Sequence, residues 1–274
     1  MRCSLRSMVA VLPLALLAGC GGSSGNHSDY PSVTGNWDIT LVSGNQSLGL
    51  GGLYSLGGTI ANQGGVVSGT LHAADDPNLG TNCFPGGAQI PITGSVTPSG
   101  SLTLTSSPVD GQSLSITGLA ISGIGNPSNA GVTGILAGDF KIAGGCRQSG
   151  SVKGSQIPSV TGSYTGQLHS ASGRFITVTI KADEKGPDAR GYYSISGPVT
   201  FKGSTCFASG TVTSSAIYGR YIDMKIATDK GDVLDFNGEI LPSTSLILDG
   251  NYRVTGGTCP DDQGGGALAR SAAS

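Results

Sequence analysis

The side chains able to do chemistry in this chain are few and scattered. Histidine occurs three times, as His27, His72 and His169. His27 lies in a polar N-terminal run, and the other two stand far apart with no cysteine or histidine at ligand spacing. A metal centre needs three or four convergent ligands, so no metal is expected. Asp75-Asp76 and Asp261-Asp262 are adjacent carboxylates. Neighbours on a strand face opposite ways, so neither pair forms an acid–base couple across a substrate. Both also stand where turns are expected, and turns favour aspartate. The run Asp229-Lys230-Gly231-Asp232 lacks the ligand spacing and closing glutamate of a calcium loop and reads as a hairpin turn. Glu184 and Glu239 are the only glutamates, leaving little general-acid capacity. No Gly-x-Ser-x-Gly elbow precedes a helix, and no glycine-rich stretch opens one. The expectation is a protein without catalysis and without a cofactor.

Two residue types remain. Tyr192, Tyr193, Tyr218 and Tyr221 gather late in the chain, either packing across a sheet or lining a cavity. Cysteine occurs six times. Cys20 ends the run Leu17-Ala18-Gly19-Cys20, which follows basic Arg2 and Arg6 and an apolar stretch from Met8 to Leu17. That stretch is about ten residues long, half of the roughly 20 needed to cross a bilayer, so the layout is that of an export signal. The four residues resemble the bacterial lipobox. The resemblance implies cleavage before Cys20, its acylation (palmitate included) and tethering to a membrane. Gly21 in place of Asp implies the outer membrane of a Gram-negative cell, with the body facing the periplasm or the cell surface. Residues 1–19 are then a signal peptide, and residues 20–30 a polar tether.

Cys83, Cys146, Cys206 and Cys259 remain, an even number in an oxidising compartment, which favours disulfides over metal. Spacing alone does not choose the pairing, but an internal repeat does. Pro31-Ser32-Val33-Thr34-Gly35 recurs letter for letter as Pro158-Ser159-Val160-Thr161-Gly162. Trp37 and Tyr164 follow at the same offset, and Thr81-Asn82-Cys83-Phe84 is echoed by Ser204-Thr205-Cys206-Phe207. Ile135-Leu136-Ala137-Gly138-Asp139-Phe140 aligns with Ile247-Leu248-Asp249-Gly250-Asn251-Tyr252. Three blocks in one order indicate a tandem duplication, with repeat one at 31–150, repeat two at 158–266 and a tail at 267–274 that either adds one last short strand or frays. Each repeat holds two cysteines, so pairing within repeats, Cys83 with Cys146 and Cys206 with Cys259, is expected.

The elements that must carry these residues are strands. Mean hydropathy is slightly positive and the net charge is only −2, so the Gly/Ser/Thr-rich body escapes the low-hydropathy, high-charge regime of disorder. Near-neutrality also excludes nucleic acid as a partner. Ile176, Val178 and Ile180 alternate with polar residues, as do Ile222, Met224 and Ile226, and likewise Leu102 and Leu104. The fold class expected is all-β: two tandem antiparallel meanders of about six to eight strands each, as small barrels or sandwiches. A single larger barrel or sandwich is the alternative. Gly35-Asn36-Trp37 at the head of the first strand resembles the Gly-x-Trp opening of lipocalins and avidins. That resemblance implies a barrel whose closed end is plugged by Trp37, and by Tyr164 in the second copy.

Charge separates the repeats: residues 32–150 carry seven charged side chains and residues 151–274 carry twenty-two. The function expected is that of a noncatalytic, lipid-anchored envelope protein with a structural or interaction role, offering sheet edges or neutral surfaces to another envelope protein. The alternative is a binding module holding a small apolar or amphipathic ligand inside a barrel or at the seam between repeats. A hydrolase is the remote third.

Overall fold

The computed structural model describes residues 30–44, 53–74, 83–122, 134–241, 246–257 and 262–271. Sixteen strands form two closed antiparallel barrels of eight strands each. The first comprises β1 (Gly35–Ser43), β2 (Leu53–Gln63), β3 (Val66–Ala73), β4 (Gln89–Val96), β5 (Ser101–Ser106), β6 (Ser113–Ser122), β7 (Gly134–Ala143) and β8 (Gln148–Ile157). The second comprises β9 (Gly162–Ser170), β10 (Phe175–Lys185), β11 (Ser194–Lys202), β12 (Ser209–Tyr218), β13 (Tyr221–Thr228), β14 (Val233–Leu241), β15 (Ile247–Thr255) and β16 (Gln263–Arg270). Within each barrel every strand pairs with its sequence neighbours, and β8 returns to β1 as β16 returns to β9. Two barrels, and not one joint structure, are therefore formed.

Both repeat boundaries move outward. Repeat one runs to Ile157 rather than 150, and the residues read as a tail, 267–270, complete β16. The reason is composition: Gln148–Ile157 and Gln263–Arg270 are mostly Gly, Ser and Ala, so their apolar alternation is thin. Glycine is required there by proximity. A Cβ on Gly264 would lie 1.8 Å from the His169 carbonyl oxygen, and one on Gly150 would lie 2.0 Å from that of Val42. Tightly curved sheets bring neighbouring backbones too close for any side chain at such bends.

Period-two alternation fills each barrel. Ile39, Leu41, Leu71, Ile90, Ile116 and Leu136 are buried in the first, and Val178, Ile180, Phe236, Ile240, Leu248 and Val254 in the second. The gap beside Leu41, Tyr54, Phe84 and Ile142 in barrel one is about 10 Å³, the room of a single water at most. An eight-stranded barrel is just wide enough for its own side chains to fill or for one small ligand.

The duplicated motif explains itself. Val33 and Val160 are each buried in the core of their barrel. Thr34 Oγ1 accepts the Asn62 N–H, and Thr161 Oγ1 accepts the Glu184 N–H. Those partners hold equivalent places, since Gly35 pairs with Ile60 and Gly162 with Ala182. Each also grips the motif through its side chain: Asn62 Nδ2 donates to the Pro31 carbonyl, and Glu184 Oε2 accepts the Val160 N–H. The last strand latches the same loop, with Gln156 donating to the Thr34 carbonyl and Arg270 to that of Thr161. Trp37 is fully buried and donates from Nε1 to the Val33 carbonyl at 2.7 Å. Tyr164 is fully buried under the Arg270 guanidinium. Burial pushes its phenol up to about 12, with Arg270 acting in the opposite sense.

Cys83 and Cys146 form a disulfide across a sequence separation of 63. Cys206 is likewise disulfide-bonded. Cys259, its expected partner, and Cys20 lie outside the described residues.

Candidate functional site

Two features distinguish this molecule from a plain pair of barrels: the seam between them and the outer wall of the first. The seam is built from outward-facing residues of β1, β2 and β3, which would be solvated in an isolated barrel. Against them sit the β10–β11 loop, residues 186–193, and the β12–β13 turn. Asn36 pairs reciprocally with a backbone: Nδ2 donates to the Gly219 carbonyl at 2.8 Å, and Oδ1 accepts the Gly219 N–H at 2.6 Å. Thr59 Oγ1 donates to the Gly191 carbonyl at 2.8 Å. Arg220 binds the carboxylate of Asp38, whose side chain is only 6% exposed. That carboxylate holds the Arg220 guanidinium above its ordinary pKa. Burial raises the Tyr193 and Tyr221 phenols, countered by hydrogen bonds to Thr59 and Ser55 across the seam.

His72 is the centrepiece. It is fully buried, with Nε2 3.0 Å from the Arg190 carbonyl oxygen. Its ring stacks on Tyr192 at 4.0 Å between centroids and lies 5.5 Å from Tyr218. Strand alternation places His72 outward, and nothing within repeat one foretells its covering. The usable signal was hairpin length: repeat one turns at Gly64-Gly65, whereas repeat two inserts 186–193 at the equivalent connection. Three of the four tyrosines, Tyr192, Tyr218 and Tyr221, make a chain of ring contacts beside His72, and Tyr193 packs against the core of barrel two.

Beside the seam, a cleft of about 240 Å³ is bordered by Ile157, Pro158, Val160, Glu184, Tyr193 and Ile217. Burial raises the Glu184 carboxyl above its ordinary value, against hydrogen bonds from Val160 N–H and Ser159.

Across β3 to β6 the outer wall of barrel one is rich in hydroxyl side chains, with exposed Val66 and Leu119 beside them. Ser68, Thr93, Thr105 and Ser115 stand side by side across β3 to β6. Ser95, Thr103 and Thr117 form the adjoining row. Strands repeat about every 4.8 Å, so these hydroxyls form a regular uncharged grid. On barrel two the corresponding faces carry ions, such as Lys225 paired with Asp235 at 3.0 Å. Closure removes sheet edges, which corrects the expectation that edges would be offered to a partner.

The remaining candidates are accounted for locally. His169 is exposed at a strand end and packs edge-on against Phe175. Asp229 accepts the N–H groups of Ala208 and Ser209, fixing a turn. Asp262 receives Ser170 Oγ and pairs with Arg174. Asp75, Asp76, Asp261 and His27 lie outside the described residues. Among the described residues, no three His, Cys, Asp or Glu side chains converge as metal ligands.

No family model matches the chain, and no curated protein matches it in sequence. Among solved structures, a protein of unknown function of the DUF3598 family from Nostoc punctiforme aligns with 87% of this chain and 96% of its own, at 11% identity and a TM-score of 0.22. A putative AttH from Nitrosomonas europaea aligns with 95% and 98%, at 10% identity and a TM-score of 0.17.

Proposed function

We propose that this chain is a noncatalytic lipoprotein, moored to the outer membrane through acylated Cys20, that presents the wall of barrel one to a protein of the cell envelope. The observation carrying this reading is the hydroxyl grid on β3 to β6, on a barrel whose interior is filled. The described side chains pack the interior of barrel one around a gap of about 10 Å³, which favours its outer face for recognition. The polar tether at 20–30 would hold that face clear of the membrane.

A photo-crosslinking residue at Thr103 tests this in intact cells, with Thr211 on the exposed face of barrel two as the control. The expected result is one discrete protein adduct from position 103 and none from 211, with the adduct lost in Thr105→Lys. Identical adducts from both positions, or none from 103, would sink the reading.

The cleft beside the seam supports a second reading, in which a small amphipathic molecule sits against Ile157, Val160 and Ile217 near the Glu184 carboxyl. Its size suits a ligand below the usual pocket range of roughly 300–1,000 Å³.

A further inference from the structure

His72 stands on β3 opposite Gly57 of β2 and Gln89 of β4, neither of which carries charge. The loop 186–193 covers it from the second barrel. A carbonyl oxygen only accepts hydrogen bonds, so the contact with Arg190 fixes the ring proton on Nε2. Nδ1 is then a bare lone pair, and it has no hydrogen-bond partner among the described residues. The loop brings two charges near, Asp188 and Arg190, but they pair with each other at 3.1 Å and are solvent-exposed. From the β12–β13 turn come the rings of Tyr218 and, behind it, Tyr221; Arg220 in that turn is engaged by Asp38. No anion in the closed arrangement is committed to a charged imidazole.

We propose that His72 is an acid-sensitive pin that holds the loop 186–193 closed over barrel one when neutral and releases it when protonated. A second proton must go to Nδ1, which in the closed state would be a buried charged donor without an acceptor. Such a group is strongly disfavoured unless it is hydrated or paired. Lifting the loop hydrates the ring and breaks the Thr59 bond to Gly191. The Asn36–Gly219 pair contains no titratable group and keeps the barrels joined, so the motion is confined to the loop.

The direction follows from linkage. Burial is the largest influence on His72 and lowers its pKa; the Arg190 carbonyl and Asp188 act the other way. Closure therefore contributes fully above the unfolded value of about 6.5 and is lost as pH falls through the lower folded value. Release uncovers an aromatic face formed by His72, Tyr192 and Tyr218. That face is a property of the seam, independent of what binds the wall of barrel one.

NMR of the full chain with labelled histidine and tyrosine tests the pin. At pH 7.5, cross-relaxation between the His72 and Tyr192 rings should be strong. It should vanish in the same step that titrates His72, with a midpoint below about 6.5, while contacts between Asn36 and Gly219 persist. His72→Phe keeps a ring without a proton to gain, and its contact with Tyr192 should survive to pH 5. Should that variant fold poorly, His72→Gln donates to the same carbonyl, and the Tyr192 ring shifts should then be independent of pH. A protonated His72 still packed on Tyr192 would overturn the proposal. So would a His72 that stays neutral and packed at pH 5, or the same acid release in both variants.

Discussion

Ending the chain after Gly266 is expected to unfold barrel two and leave barrel one standing. The eight residues lost include Ala267, Leu268, Ala269 and Arg270, which bond to β9 on one side and β15 on the other. Their removal opens the ring at its closure point and exposes two strand edges. Leu268 is 1% exposed, and deleting such a side chain alone costs about 2–5 kcal/mol. Arg270 is lost too, and with it the donors to the Ser159 and Thr161 carbonyls and the cover over Tyr164. Together these losses rival the roughly 5–15 kcal/mol that holds an ordinary domain folded. The single tryptophan, Trp37, belongs to barrel one, so its fluorescence reports that barrel alone. In denaturant titrations the truncated chain should keep the Trp37 transition and lose the near-ultraviolet tyrosine signal of barrel two. Retention of both transitions would mean that β16 is dispensable.

Gly57→Ala should uncouple the barrels without harming either. Gly57 faces outward on β2, in register with Asp38 and His72. A Cβ there would lie 2.5 Å from the Tyr218 carbonyl oxygen and 2.7 Å from the Gly219 nitrogen, both rigid backbone of the other barrel. Gly57 is not among the positive-φ glycines, so alanine suits its conformation. Within barrel one the change should be neutral or stabilising by about 0.4–1 kcal/mol, because alanine restricts the unfolded chain. Across the seam it displaces the Asn36–Gly219 bonds and parts Arg220 from Asp38. Asp38 then returns to water, so what is lost is the set of contacts that couples the barrels. The wild-type transitions seen by Trp37 and by the tyrosines should coincide, and in Gly57→Ala they should separate. Coincident transitions in the variant would show that the seam contributes no coupling.

Much of this architecture was legible from residues alone. The repeated Pro-Ser-Val-Thr-Gly motif marked the start of each barrel, and alternating Ile, Val and Leu marked the strands. The repeat also paired Cys83 with Cys146. Less was legible where geometry overrides side-chain pattern. The closing strands were cut short because curvature forces glycine into β8 and β16, and glycine carries no hydrophobic signal. The seam escaped notice because Asn36, Asp38, Thr59 and His72 occupy outward positions that a single barrel would leave in water. Their burial comes from a neighbour some 120 to 180 residues away in sequence, as the Asn36–Gly219 and His72–Arg190 separations of 183 and 118 show. No local periodicity encodes that. The Tyr192–Tyr218–Tyr221 stack was visible as a cluster, but its target in repeat one was not.

Each repeat forms its own closed barrel, and each is expected to carry its own crosslink. Such a bond, across a separation of 63 residues in the first copy, contributes roughly 4 kcal/mol on the chain-entropy model. Mass-spectrometric mapping of proteolytic fragments from unreduced protein tests this most directly. It should recover Cys83 joined to Cys146 and Cys206 joined to Cys259. A fragment joining either member of the first pair to either of the second would contradict two independently stapled modules.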